Sequence, residues 1–135
     1  MNKELLYKTK VYYEDTDLGG VVYYANYLKF IERARTEILS SFGLSNNKLI
    51  TEYNTYIIVK SCKIDFKKPA KLEDDLNIYT SITFVSKASF KMTQIIKRNN
   101  DIIVSAAVHL VTVNNKGKPI KVVDILKKKL ILYLI

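Results

Sequence analysis

The spacing of apolar residues switches from a helical to a strand period midway along this chain, and that switch limits the folds open to it. Between about Asn26 and Phe42, the side chains of Leu28, Ile31, Ala34, Arg35, Ile38, Leu39 and Phe42 recur at three- and four-residue steps, the spacing of one helical face. Gly43 follows, well placed to end the helix in a left-handed conformation. From residue 56 onward the period falls to two. Residues 56–66 read as a long strand, stopped by Lys67-Lys68-Pro69. Leu76, Ile78, Thr80, Ile82 and Phe84 alternate with polar neighbours, as a half-buried strand does. Residues 89–98 and 102–113 flank Asn99-Asn100-Asp101 as the two arms of a hairpin. Residues 5–13 read as a first strand, 44–54 as a loop or short helical turn, and the tail from Asp124 as a short helix carrying Lys127, Lys128 and Lys129. One strand, one long helix and four closely connected strands predict an α+β fold, with an antiparallel sheet that buries the helix on one face. The length of 135 residues, 48% of them hydrophobic, suits a single domain over 1–135 with a proper core. So thin a domain leaves apolar edges for a second copy to cover.

The first strand runs into Tyr13-Glu14-Asp15-Thr16-Asp17-Leu18-Gly19-Gly20-Val21-Val22-Tyr23-Tyr24-Ala25-Asn26-Tyr27. Three carboxylates, a Gly-Gly pair and a helix start therefore fall close together. Hydrolysis of an activated acyl group needs such a set: a carboxylate as base or nucleophile, and N–H donors for the oxyanion. The plain structural alternative is that Asp17 caps a turn and the glycines make it tight. If strand geometry persists this far, Asp15 and Asp17 share a face and Glu14 points away. Asp-x-Asp can also hold a divalent cation, but no further ligand cluster or nearby histidine supports a metal here. Asn26 reads as the N-cap of the helix, and Glu32 with Arg35 as an i, i+3 pair.

The formal charge of +9 attracts anions of many kinds, but the lysines are spread along the chain. No aromatic-interleaved basic stripe points to nucleic acid. Cys62, the only cysteine, alternates with Ile64 and Phe66 and reads as a small buried residue rather than a nucleophile. His109, the only histidine, sits in an apolar strand and reads as core or interface packing. The absence of an apolar signal core and of a membrane-length apolar run fits a reduced, cytoplasmic setting.

The run Tyr13 to Leu28, continued by Phe30-Ile31-Glu32-Arg33-Ala34-Arg35 and by Phe66-Lys67-Lys68-Pro69-Ala70-Lys71-Leu72-Glu73-Asp74, resembles the signature of hotdog-fold acyl-CoA thioesterases. It is similar to the 4-hydroxybenzoyl-CoA thioesterase family, in the bacterial branch associated with the Tol-Pal envelope system. The resemblance spans nearly the whole chain. It implies a five-stranded antiparallel sheet wrapped around the long helix. It also implies dimers, often paired into tetramers, with active sites at the subunit interface, and Asp17 as the catalytic carboxylate. The branch usually carries His where this chain has Tyr24. A side-chain histidine role is therefore not carried over, whereas a backbone role at Tyr24 is.

On that resemblance Asp17 would deprotonate water or attack the thioester carbonyl, with no metal or redox cofactor. Backbone N–H groups from Val22 to Tyr24, led by Tyr24, would polarise the carbonyl. Gly20, Val21, Val22 and Asn26 would shape the site, and Glu32 would order the site or interface. Lys67, Lys68, Lys87 and Lys91 are candidates to meet the phosphates of an acyl-CoA, and the same basic surface would suit an acyl carrier protein. Hotdog dehydratases pair a histidine with an acid, and this chain has no histidine near its acidic turn. A non-catalytic acyl-thioester binder is the alternative to an enzyme.

Overall fold

The computed structural model describes residues 2–135. In chain order its elements are β1 (Leu5–Lys10), α1 (Asn26–Ser41), α2 (Asn46–Tyr53), β2 (Tyr56–Phe66), β3 (Asp75–Val85), β4 (Ser89–Arg98), β5 (Asp101–Val113) and α3 (Asp124–Leu132). The five strands form one sheet in the order β1-β3-β4-β5-β2, and every pairing is antiparallel. The expected sheet and long helix are thus present. β1 ends at Lys10, however, and Tyr13–Asp15 form a single turn of 3-10 helix, so strand geometry does not reach the acidic turn. Asn99 takes a left-handed φ of 53° in the two-residue β4–β5 connection, and Gly43 does the same (77°) after α1.

Alternate residues of the three central strands point at α1. Leu76, Ile78, Thr80 and Ile82 of β3, Met92, Gln94 and Ile96 of β4, and Val104, Ala106, Val108 and Leu110 of β5 are all buried. The helix meets them with Tyr27, Phe30, Ile31, Ala34, Ile38 and Leu39. Leu28, expected on this stripe, lies outside it and is half exposed. Apolar burial on this scale, at about 25 cal/mol per Å², is the main force holding helix to sheet. A polar contact fixes where the helix sits. Gln94 Nε2 donates to the Ile31 carbonyl of α1 (3.0 Å) and to Thr80 Oγ1 (3.1 Å). Gln94 Oε1 accepts from Arg35 Nη1 (3.0 Å). Gln94 and Thr80 are both fully buried, and each is hydrogen-bonded, as burial demands.

β2 is an edge strand whose middle α1 leaves uncovered, and this corrects the expectation for Cys62. The residue does face the helix side, opposite buried Val108, but nothing covers it and it is exposed. A bulge between Val59 and Ser61 governs which side chains share that side. Before it, Ile57 and Val59 pair with Thr112 and Leu110; after it, Cys62, Ile64 and Phe66 pair with Val108, Ala106 and Val104. The extra residue shifts the alternation by one, so Ile57 and Val59 before it and Cys62, Ile64 and Phe66 after it all face the helix side, while Ile58 faces outward. His109 is on the opposite, outer face of the sheet, away from the helix-side core. Its Nε2 is buried without a partner among the described residues, and burial, with Lys91 and Lys60 nearby, holds its pKa below the usual 6.5. No helix among the described residues is long and apolar enough to cross a membrane.

The loop between β2 and β3 is held by three residues from outside it. Ala70, fully buried, donates its N–H to Tyr27 Oη (3.0 Å) and accepts at its carbonyl from the Val22 N–H (2.9 Å). Arg98 Nη1 donates to the Pro69 carbonyl (3.1 Å) and to Asp74 Oδ2 (2.8 Å), which also accepts from the Lys71 N–H (2.8 Å). Burial pushes the Tyr27 phenol pKa up. Burial also raises the Asp74 pKa, but the Arg98 and Lys71 hydrogen bonds outweigh it and leave the carboxyl below its usual 3.8.

Two outcomes follow for this clamp. Tyr27→Phe leaves the buried Ala70 N–H without an acceptor and should cost about 1–3 kcal/mol in urea unfolding. Because the Asp74 pKa is depressed by folding, its stabilisation is complete above 3.8 and lost as pH falls through the folded value. Asp74→Asn should therefore flatten the fall in melting temperature below about pH 4.

Candidate active site

The acidic turn folds as a small hairpin against the N-terminus of α1. Thr16 bridges Val22, and the Asp17 N–H donates to the Val21 carbonyl (2.9 Å). Val21 in turn bridges Lys71 of the clamped loop, and Leu72 N–H donates to the Gly20 carbonyl (3.2 Å). At the tip, the Gly20 N–H donates to the Asp17 carbonyl (3.1 Å), and the Gly19 N–H to Asp17 Oδ1 (2.8 Å). Gly20 has φ +76°, a backbone conformation that side-chain-bearing residues rarely adopt. At Gly19 the constraint is space: a Cβ there would stand 3.3 Å from Asp17 Oδ1. The two glycines therefore do different work, one for the turn and one for the carboxylate.

Asp15 and Asp17 have separate environments. Asp15 is buried, and its Oδ2 accepts from the Tyr12 N–H (2.9 Å). Asp17 is exposed at the hairpin tip. Asn26 is the first residue of α1 rather than its cap, which is Ala25. Its side chain instead reaches back, with Nδ2 donating to the Asp15 carbonyl (2.9 Å), and so ties the hairpin to the helix. Among the described residues no group of three or more His, Cys, Asp or Glu side chains is placed to hold a metal ion.

The hydrogen-bond pattern singles out one stretch of backbone. The Val22 N–H is taken by Ala70 and the Tyr23 N–H by the Asp15 carbonyl (3.0 Å), so neither is free as an oxyanion donor. The Tyr24 and Ala25 N–H groups have no acceptor among the described residues. Both precede α1, where helix amides and the helix dipole favour negative charge. The Tyr24 ring is largely exposed and packs against Tyr23 (5.0 Å between centroids) and edge-on against Phe66 (6.0 Å). Phe66 also meets Tyr27 (5.9 Å). Val22, Tyr24, Tyr27, Phe66, Lys67, Lys68 and Pro69 line one shallow cavity beside these amides.

Lys67 and Lys68 are thus on the rim, with Lys68 Nζ 3.0 Å from Asp101 Oδ1. Lys87 is not. It lies in the β3–β4 turn, where its carbonyl accepts from Val122 N–H, at the end of the sheet opposite the β4–β5 turn that Lys68 touches. Lys91, on the outer face, stacks over Phe84 at 5.0 Å. The expected Glu32–Arg35 pair does not form: Glu32 Oε1 accepts from Thr36 Oγ1 (3.0 Å), and Arg35 turns inward to Gln94. Burial pushes the Arg35 guanidinium pKa down, against the pull of Glu32. The sequence reading missed the Tyr27–Ala70 and Arg98–Asp74 contacts, because each joins residues far apart in the chain. The one sequence signal was Pro69, which fixes its own φ, followed by the turn former Asp74 after β2.

The Thioesterase-like superfamily pattern matches residues 11–130. The acyl-CoA thioesterase YbgC of Haemophilus influenzae is 40% identical over 115 residues, covering 84% of this chain and 85% of that protein. The acyl-CoA thioester hydrolase YbgC of Escherichia coli is 41% identical over 122 residues, covering 88% of this chain and 90% of that protein. The crystal structure of a probable thioesterase from Bartonella henselae, 35% identical, superposes with a TM-score of 0.85 over 87% of this chain and 98% of its own. The five-stranded sheet, the long helix and these matches agree: the chain belongs to the thioesterase-like superfamily of hotdog-fold proteins.

Proposed function

We propose that the protein hydrolyses acyl-CoA thioesters to the free acid and CoA, with Asp17 as the general base and the Tyr24 N–H as the main oxyanion donor. The observation that carries this reading is the hydrogen-bond pattern of the hairpin. It presents an exposed carboxylate at its tip and leaves the Tyr24 amide free at the helix start, while the amides just before it are committed. The Asp17 carboxylate takes a proton from water, and the resulting hydroxide adds to the thioester carbonyl. The oxyanion that forms accepts from the Tyr24 N–H. As the C–S bond breaks, the proton on Asp17 passes to the departing thiolate, so the carboxylate is regenerated. Lys67 and Lys68, on the rim, meet the phosphates of the CoA moiety. Their exposure makes each a modest contributor on its own.

A second copy of the chain belongs to this reading. β2 is an edge strand of 11 residues whose outer row of N–H and C=O groups is unpaired within the chain, and Ile58, Val59 and Phe66 on it are about half exposed. Long, apolar, unpaired edges invite pairing with another strand. A homodimer joined along β2 would cover them and bring a second set of side chains to the site beside Phe66. Pairing of such dimers into tetramers, and a role beside the cell envelope, belong to the same reading through the family resemblance.

Thiol release from a panel of short, long and aromatic acyl-CoAs tests the assignment. Asp17→Asn keeps the turn-forming oxygen and should fold normally while kcat falls by roughly 10²–10⁴-fold, the usual contribution of a general base. Near-wild-type turnover in the folded variant would remove Asp17 from the mechanism. Gly19→Ala should leave the melting temperature within about 2 °C, because Gly19 does not need a positive φ. Its Cβ should displace the Asp17 carboxylate by a few tenths of an ångström and lower kcat about tenfold with little change in KM.

A further inference from the structure

Helix α3 has two unlike faces. Leu126 and Leu130 are buried against the rest of the protein, whereas Asp124, Ile125, Lys128, Ile131 and Leu132 are exposed. The three- and four-residue spacing of the exposed set puts it on one outward stripe, and most of that stripe is apolar. Ile131 and Leu132 each keep half of their surface open. Lys127 and Lys129 flank the stripe, one on either side. Further cations surround it. Lys121 precedes the helix, Lys87 offers its carbonyl to the Val122 N–H (2.8 Å), and Lys3 Nζ donates to the Leu134 carbonyl (2.9 Å). None of these lysines is in an ion pair among the described residues. Beside the stripe lies an open groove of about 730 Å³, whose lining includes Tyr53, Lys121, Ile125, Lys128 and Lys129.

We propose that α3 is a docking face for an anionic lipid bilayer. Ile125, Ile131 and Leu132 enter the boundary between headgroups and acyl chains, and lipid phosphates sit in the groove among Lys121, Lys128 and Lys129. Lysines alone would suit any acidic partner, and two features favour a bilayer. The first is the mixture of side chains on the stripe. Apolar tips that stand out among lysines fit the lipid interface, where the tips leave water and the lysine stems lie along hydrocarbon while their ammonium groups stay at the level of the phosphates. The second is the origin of the lysines. They come from the N-terminal segment, the β3–β4 turn, the approach to α3 and α3 itself, so a plane of phosphates meets all of them at once, whereas one acidic segment would reach only a part. The face is also remote from the Asp17 hairpin. Lys87 marks the far end of the sheet, and Leu134, just past α3, bridges Ile82 of β3. Docking there leaves the candidate active site open to solution, and the proposal stands whether or not Asp17 is the base.

The experiment sediments the full chain with vesicles of phosphatidylcholine alone and of phosphatidylcholine mixed with phosphatidylglycerol. Wild type should bind the mixed vesicles at least about fiftyfold more tightly, and the preference should shrink as salt is raised. Each lysine at an anionic surface is worth about fivefold, so the triple variant Lys121→Gln, Lys128→Gln, Lys129→Gln should bind about a hundredfold more weakly. A charge-matched control, Lys8→Gln, Lys63→Gln, Lys97→Gln on the outer face of the sheet, should stay within about threefold of wild type. The chain has no tryptophan, so Leu132→Trp places a single reporter on the stripe. Its emission should shift to the blue on mixed vesicles and be quenched by brominated acyl chains. All these variants should keep the wild-type melting temperature and the wild-type thiol release from acyl-CoA in solution. Wild-type protein that does not distinguish the two kinds of vesicle overturns the proposal, whatever the variants do. Equal losses in the two triple variants overturn it in favour of net charge alone. Binding that leaves Leu132→Trp unquenched overturns it in favour of an acidic protein partner, and an Ile131→Ser variant that changes oligomeric state without lipid overturns it in favour of a second copy of the chain.

Discussion

The peptide group on either side of Ala70 holds the site together. Its N–H is bound by a phenol on the long helix and its carbonyl by an amide of the hairpin that carries Asp17. Ala70 has no exposed surface, so neither bond competes with water, and losing either would strand a buried polar group. The helix start, the glycine turn and the loop after β2 are thereby located relative to one another by one residue. Alanine suits the place because a larger side chain would have to find room among fully buried neighbours. Arg98 then fixes the flanks of the same loop through Pro69 and Asp74.

A second polar contact, deeper in the protein, sets the height of the helix over the sheet. Apolar packing alone would let α1 slide along the sheet at modest cost, since dispersion and burial are not directional. Gln94 removes that freedom by bonding the Ile31 carbonyl, which already belongs to the helix ladder, while Thr80 on the adjacent strand and Arg35 occupy its remaining positions. The free amide at the N-terminus of α1 and the far end of the helix are both positioned by this contact.

Most of the fold was legible in the sequence because it rests on period. The change from helical to strand spacing located α1 and the last four strands, and the Asn-rich turn located the hairpin between β4 and β5. What was not legible depended on contacts or on end effects. β1 stopped early because Tyr13–Asp15 close a 3-10 turn whose last carboxylate bonds back to Tyr12, a local arrangement that alternation does not reveal. Asn26 looked like a cap by residue type but spends its amide on the Asp15 carbonyl, eleven residues earlier. Cys62 was assigned to the interior by alternation, which is correct for direction and silent about whether a helix lies overhead. Lys67 and Lys68 line the cavity because they follow Phe66 in the chain. That Lys87 lies at the other end of the sheet is not legible in the sequence, because position along a sheet requires knowing which end each turn occupies.

The bulge in β2 makes the chemical character of that strand a matter of counting. Ile57, Val59, Cys62, Ile64 and Phe66 share a side only because one residue is out of step, so the strand tolerates substitution far better than it tolerates a change in length. Loss or gain of a single residue between Ile57 and Phe66 would exchange hydrocarbon for Ser61, Lys63 and Asp65 along half of that side while leaving overall composition almost untouched. Descendants of this sequence are therefore free to drift in what β2 is made of and are held to how many residues it contains, unless an indel comes paired with a second that restores the count.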